Sequence, residues 1–222
     1  MPEASPLRPL LTILLVGLIA AASAVLVTTS WQFSAGRIAA NERARLIASL
    51  SSVLDPVLLE RDLDPVLLSV TDEVLLGTDE PVDVFVPVDG TTPLAAIFAS
   101  VAPHGYNAPI HLLIGISIPT SRITGVRVVS HRETPGLGDL IDIAKSRWIL
   151  QFDGKAVNDP PASDWAVRQE DGAFDAITGA TVTPRAVIAA VHDTLLYFEA
   201  HRDELIAAAR EAAESRPTEG MQ

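Results

Sequence analysis

Three hydrophobic patterns follow one another along the chain. The first is continuous. Residues 9–36 hold no charged side chain, and residues 10–27 (LLTILLVGLIAAASAVLV) are predominantly apolar. At ~1.5 Å per residue that run is long enough to cross ~30 Å of hydrocarbon as a helix. Gly17, Ala20, Ala21, Ala22, Ser23 and Ala24 form a patch of small residues that lets another helix approach closely. Trp31 and Phe33 fall where an interfacial aromatic anchor belongs. A cleaved signal peptide is the competing reading, because Ala22-Ser23-Ala24 offers a small-residue cleavage pattern. The weak positive charge ahead of the run (Arg8, opposed by Glu3) and its continuation past Ala24 favour a retained transmembrane anchor over residues 1–34. Charge leaves its orientation open: Arg8 lies on one side, and Arg37, Arg43 and Arg45 on the other.

The second pattern is broken. Residues 35–54 read as a helix that starts polar and ends apolar, stopped by Asp55-Pro56. LDPVLL then occurs twice, at 54–59 and 63–68, and is expected to form two short turns with apolar faces. Residues 35–80 together are expected to be a helical linker.

The third pattern alternates. Residues 82–88, 94–101, 110–118 and 122–131 are strand candidates, with Asp89-Gly90 as a turn. Their short connections favour antiparallel neighbours. A helical pattern holding Trp148 is expected over 140–150, and one short strand with a turn at Asp171-Gly172 over 164–181. A final helix opens at Pro184, with Thr183 as its N-cap and an apolar stripe of Val187, Val191, Leu195, Phe198, Leu205 and Ile206. Residues 215–222 are expected to fray. Helices at both ends with strands between them indicate an α+β domain over 81–214.

Composition narrows the chemistry. The 222 residues carry a formal net charge of -12, which argues against nucleic acid as a partner. There is no cysteine, so disulfides, thiolate metal sites, iron–sulfur ligation and cysteine nucleophiles are excluded. A mean hydropathy of +0.30 reflects the N-terminal run. No Walker loop and no Gly-x-Ser-x-Gly elbow occurs. His131 and Glu133 are two apart with no second such pair nearby, so no metal site is expected. His192, His201 and the carboxylates around them are expected on a wet face of the last helix.

The chemistry concentrates in DAITGATVTPRAV, residues 175–187. Its threonines stand at the mouth of the last helix, where free backbone N–H groups and the helix dipole favour a phosphate. Gly179 allows close approach of a ligand, Ala180 keeps the turn uncrowded, and Thr178, Thr181 and Thr183 supply hydroxyls. A capped helix alone would explain Thr183 and Gly179.

Asp175-Ala176-Ile177-Thr178-Gly179-Ala180-Thr181 resembles the flavin-transfer signature Asp-x-x-(Ser/Thr)-Gly-Ala-Thr at every specified position. With HRETPGLGD at 131–139, DWAVR at 164–168 and TGATVTPRAV at 178–187, the chain is similar to the G subunit of the Rnf (Rsx) ion-translocating electron transport complex. That family is itself related to the C subunit of the sodium-pumping NADH:quinone reductase. The resemblance is most specific over residues 104–198.

It implies a single transmembrane helix followed by an FMN-binding domain with a mainly antiparallel sheet and flanking helices. A dedicated flavin transferase would join FMN covalently to Thr181 through a phosphoester. It also implies that Thr178, Gly179, Ala180 and Thr183 surround the phosphate. Thr134, Gly136 and Leu137 would lie by the isoalloxazine. The domain would sit on the periplasmic side of a bacterial inner membrane, passing electrons among membrane subunits that couple ferredoxin and NAD chemistry to ion movement. No residue of this chain need then act as an acid or base, and catalysis belongs to the complex. A stand-alone anchored FMN reductase, and an anchored module without redox chemistry, are the other two readings.

Overall fold

Val82, Val84, Val86 and Val88 are buried at every second position, and this alternation builds a long strand, β2 (Thr78–Asp89). The structure is a computed structural model that describes residue 17, residues 50–54, residue 58 and residues 63–215. All of the expected anchor but residue 17, most of the helix over 35–54, most of the first LDPVLL copy and nearly all of the expected tail lie outside the described residues. Among those residues no helix is long and apolar enough to cross a membrane. The chain divides into two compact units, Met1–Ile47 and Ala48–Gln222, and every element named here belongs to the second.

Among the described residues one sheet holds all the strands: β1 (Asp64–Asp72), β2, β3 (Thr92–Pro93), β4 (Ala95–Phe98), β5 (Val101–Ala102), β6 (Ile110–Ser117) and β7 (Ile123–Ser130). Every pairing is antiparallel, as the short connections lead one to expect. The path runs β1-β2-β4-β6-β5, with β3 on β2 and β7 on β6. Asp89-Gly90 turns the chain, with Gly90 at φ +61°.

Three elements differ from the pattern read in the sequence. The short strand expected within 164–181 does not form: Val167 makes only an isolated bridge to Phe174, between 3-10 helices at Ala162–Asp164 and Arg168–Glu170, and the expected turn follows at Asp171 with φ +61°. The second LDPVLL copy is not a turn within a helical linker but the start of β1, which pairs with β2 from Asp64↔Val88 to Val70↔Val82. Val66 is buried in the core and Leu68 and Val70 pack against it, while Leu67 and Ser69 face outward. Residues 140–150 form no α-helix. Two 3-10 helices replace it, Gly138–Ile141 and Trp148–Phe152. Asp142 Oδ1 accepts from Ala144 N (2.9 Å), and Ser146 Oγ donates to Leu140 O (2.6 Å) while accepting from Trp148 N (3.1 Å). These side chains occupy the backbone groups that a continuous helix would pair.

A short helix, α1 (Glu73–Leu76), is capped by Asp72, whose Oδ1 accepts from Val74 N and Leu75 N. The last helix, α2 (Val182–Glu214), covers one face of the sheet. Val187, Val191, Leu195 and Phe198 form its buried stripe, and Phe98 of β4 meets Tyr197 and Phe198 edge-on. Each such side chain contributes about 1.5–3 kcal/mol on burial.

The opposite face holds a smaller core of Leu50, Val53, Ile97 and Leu113. Gly115 and Gly125 face each other across β6 and β7 and leave a notch that seats Val53. A Cβ on Gly115 would stand 2.4 Å from Val53 O. Thr124 Oγ1 donates to that same carbonyl.

Candidate functional site

The stretch 175–187 folds as a turn leading into α2. Ala180 N donates to Ile177 O (3.0 Å), and Gly179 sits at φ +83°. A positive φ at the third position is the requirement of a type II turn, which glycine meets without strain. Thr178, Gly179 and Thr181 are exposed, and Ala180 is half-buried. Helix α2 begins at Val182 with Thr181 in the N-cap position. The helix therefore opens two residues earlier than the Thr183-Pro184 pair suggests, and Pro184 falls at its third residue. Proline is tolerated there because first-turn N–H groups lack intrahelical partners anyway.

Thr181 makes no side-chain cap hydrogen bond, and its φ of -95° and ψ of -31° are already helical. Its hydroxyl is therefore exposed at the electropositive end of a 33-residue helix without serving as a cap. Thr183 has the opposite fate. It is buried, and its hydroxyl donates to Glu133 Oε2.

One other segment meets this turn, and a second braces that segment from behind. The loop over 133–139 lies against the turn: a Cβ on Gly179 would stand 2.8 Å from Leu137 Cδ2. Leu137 itself remains 40% exposed. Thr134 O accepts from Leu137 N (3.1 Å), Gly136 adopts φ +78°, and Asp139 Oδ1 accepts from Gly136 N (2.6 Å). Gly138 must be glycine for a different reason, since a Cβ there would lie 2.7 Å from Glu133 Oε2 and 2.8 Å from Thr183 Oγ1. The second segment is the loop ahead of β6. Asn107 Nδ2 donates to Arg132 O (2.9 Å) and approaches Thr134 Oγ1 (3.4 Å).

Asp175, at the start of the motif, is held by its backbone. Trp148 Nε1 donates to Asp175 O (2.6 Å), and Asp175 N donates to Gln151 Oε1 (2.7 Å). Its carboxylate pairs with Arg168 at 3.1 Å on the surface. On the first turns of α2, Arg185 pairs with Glu170. The arrangement offers an accessible hydroxyl with helix N–H groups beside it, bordered by a stiff glycine-bearing loop with an apolar side chain.

The structure therefore brings Thr178, Gly179, Ala180 and Thr181 together with Leu137, beside the loop carrying Thr134 and Gly136, and turns Thr183 inward. No sequence signal marks Glu133 as the residue joining these segments, because its partners lie 26 and 50 residues away. The Trp148 and Gln151 contacts to Asp175 are equally silent.

The aromatic residues behind the site form core. Trp165 packs on Phe152, Phe174 and His192. His192 is thus not on a wet face: its ring stacks on Trp165 at 4.8 Å and 20°, and Nε2 is buried with no hydrogen-bond partner among the described residues. Burial lowers the His192 pKa and raises that of Asp193. His201 stacks on Tyr197 at 4.3 Å.

Known proteins match this chain along most of its length. The G subunit of the ion-translocating oxidoreductase complex of Pseudomonas aeruginosa (strain UCBPP-PA14) is 43% identical over 195 residues, covering 87% of this chain and 90% of that protein. The chain belongs to the G-subunit family of the ion-translocating oxidoreductase complex. The corresponding proteins of Shewanella loihica (38% over 192 residues) and Vibrio cholerae (36% over 192 residues) each cover 86% of the chain, and are themselves covered to 90% and 91%. Residues 105–196, which hold the whole candidate site, match the FMN-binding domain family. Among solved structures, the crystal structure of Shewanella oneidensis NqrC aligns with a TM-score of 0.46 and 21% identity, covering 72% of this chain and 74% of that one.

Proposed function

We propose that this chain carries FMN covalently on Thr181 and passes electrons within an ion-translocating oxidoreductase complex, as its anchored G subunit. The observation that carries the reading is the exposed Thr181 hydroxyl, at a helix N-terminus and free of capping duty, as the last residue of an intact flavin-transfer motif. The residues present fit the group. The diester would keep about one negative charge, which the N–H groups of the first turn of α2 stabilise. Thr178, Gly179 and Ala180 shape the turn beside the phosphate, and Thr134, Gly136 and Leu137 present a firm loop to a flat ring. Thr183 braces the turn from inside.

FMN supplies one- and two-electron redox chemistry, and the chain contributes its position and surroundings. Attachment needs an activated donor, because a free phosphate monoester has no good leaving group. A flavin dinucleotide would meet that need: Thr181 Oγ would be the acceptor, its new bond to phosphorus replacing the phosphoanhydride bond, with a nucleoside monophosphate as leaving group, the hydroxyl proton released to solvent and no electron transferred. A flavin transferase is the partner for this step, and sister membrane subunits are the partners for electron flow. Residues 1–34 would be the single-pass anchor. The domain on its periplasmic side would take in β1 as well as residues 81–214, since β1 belongs to the sheet.

The test is Thr181→Ala. The substitution removes the acceptor oxygen but no cap hydrogen bond, so the domain should fold and carry no flavin through a denaturing gel. Thr181→Ser should keep it. Covalent flavin on the alanine variant would end the assignment.

A further inference from the structure

Glu133 is a buried charged residue that the electron-carrier reading leaves without a task. It is 5% exposed, and both of its carboxyl oxygens accept from distant segments. Oε1 accepts from Asn107 N (3.2 Å), and Oε2 accepts from the Thr183 hydroxyl. Its own N–H donates to His131 Nδ1 (3.1 Å). Glycines crowd it on two sides: a Cβ on Gly138 would stand 2.7 Å from Oε2, and one on Gly105 would stand 3.1 Å from Oε1. Three segments remote in sequence thus close on one carboxylate. They are the loop ahead of β6, the glycine loop and the first turn of α2.

We infer that Glu133 is a positioning residue for the tether: acting through Thr183, its carboxylate locks the first turn of α2 to the glycine loop and fixes where the Thr181 hydroxyl stands. The inference rests on the reading of Thr181 as the acceptor. Thr183 lies two residues beyond Thr181, so the brace sets the path of the backbone that carries the acceptor. The same carboxylate holds the loop bearing Leu137, so turn and loop keep a fixed separation. The chemistry explains the choice of residue. Two donors face it, and a carboxylate can accept from both. Aspartate is one methylene shorter and cannot span them. Glutamine can accept from Asn107 N with its oxygen and donate to a rotated Thr183 hydroxyl, so it keeps both contacts without the charge. Alanine removes the acceptor of the buried Thr183 hydroxyl, which is costly, and frees the part-buried Asn107 N–H.

The test uses the full-length chain in four variants, Glu133→Ala, Glu133→Gln, Thr183→Val and Thr183→Ser. Each is compared at a temperature where its circular dichroism matches the wild type. Two readouts are taken. Backbone hydrogen exchange over 178–185 is measured before any flavin is attached. The initial rate of covalent flavin incorporation is then measured with the flavin transferase and a flavin dinucleotide. Glu133→Ala and Thr183→Val should exchange faster over 178–185 with the middle of α2 unchanged, and should take flavin about ten-fold or more slowly. Glu133→Gln and Thr183→Ser should stay close to wild type in both. If Glu133→Ala fails to fold, the nearly isosteric Thr183→Val still decides the matter. Wild-type exchange and rate in Thr183→Val would overturn the inference. So would a Glu133→Gln variant as slow as Glu133→Ala, because charge rather than bracing would then be responsible. A wild-type chain that takes no flavin, with exchange changed as expected, would sink the tether reading and leave the brace standing.

Discussion

At the scale of single residues, Thr181 and Thr183 are two positions apart and have opposite roles. One hydroxyl is exposed and caps nothing; the other is buried on a carboxylate. In the sequence they are neighbours in one hydroxyl cluster, because spacing along the chain does not reveal which way a first-turn side chain turns. What decides it is Glu133, 50 residues earlier and legible only as half of an unconvincing metal pair. Arg168 gives a smaller case. Its pair with Asp175 is exposed, so Arg168→Gln should change stability by at most about 1 kcal/mol. Urea unfolding checks this, and a larger loss would mean the pair braces the motif.

At the scale of elements, the strands with clear alternation were legible: β2, β4, β6 and β7 lie where the pattern places them, paired as short connections require. β1 was obscured because each LDPVLL copy carries a proline, a residue that disfavours strand interiors, although Val66, Leu68 and Val70 keep the period of two. The 3-10 segments were obscured because the apolar spacing over 140–150 suits a helix, while Asp142 and Ser146 divert its backbone bonds. Two predictions belong at this scale. Gly115→Ala puts a Cβ against Val53 O, so the segment 50–54 must shift, at a cost of about 1–3 kcal/mol. Hydrogen exchange should show protection lost at 50–54 and kept in α2; unchanged protection would mean the notch is not tight.

The second concerns His192, whose pKa is held below 6.5 by burial. The neutral ring therefore contributes stability that is present above 6.5 and lost as pH falls through the folded value. Asp153 and Asp193 have pKa values raised above 3.8 by burial, opposed for Asp153 by Arg127. Their contribution runs the other way: it is full below 3.8 and lost as pH rises through their folded values. The melting temperature of His192→Phe should thus fall less than that of the wild type as pH drops below 6.5. Parallel curves would show that the ring titrates freely.

At the scale of the whole molecule, the chain is acidic and carries an apolar run near its N-terminus. The site that matches the FMN-binding domain family lies wholly within residues 105–196, well separated in sequence from that run. Anchoring and flavin attachment should therefore be separable. Deletion of residues 1–30 should release the chain from the membrane fraction and leave it able to accept flavin. Retention in the membrane would place the anchor elsewhere.

Mass spectrometry of the peptide spanning 175–187, taken from the full-length chain produced together with the flavin transferase, reaches the central claim most directly. One FMN linked through phosphate to the Thr181 oxygen is the expected result. An unmodified peptide, or flavin carried on Thr178 or Thr183 instead, would contradict it.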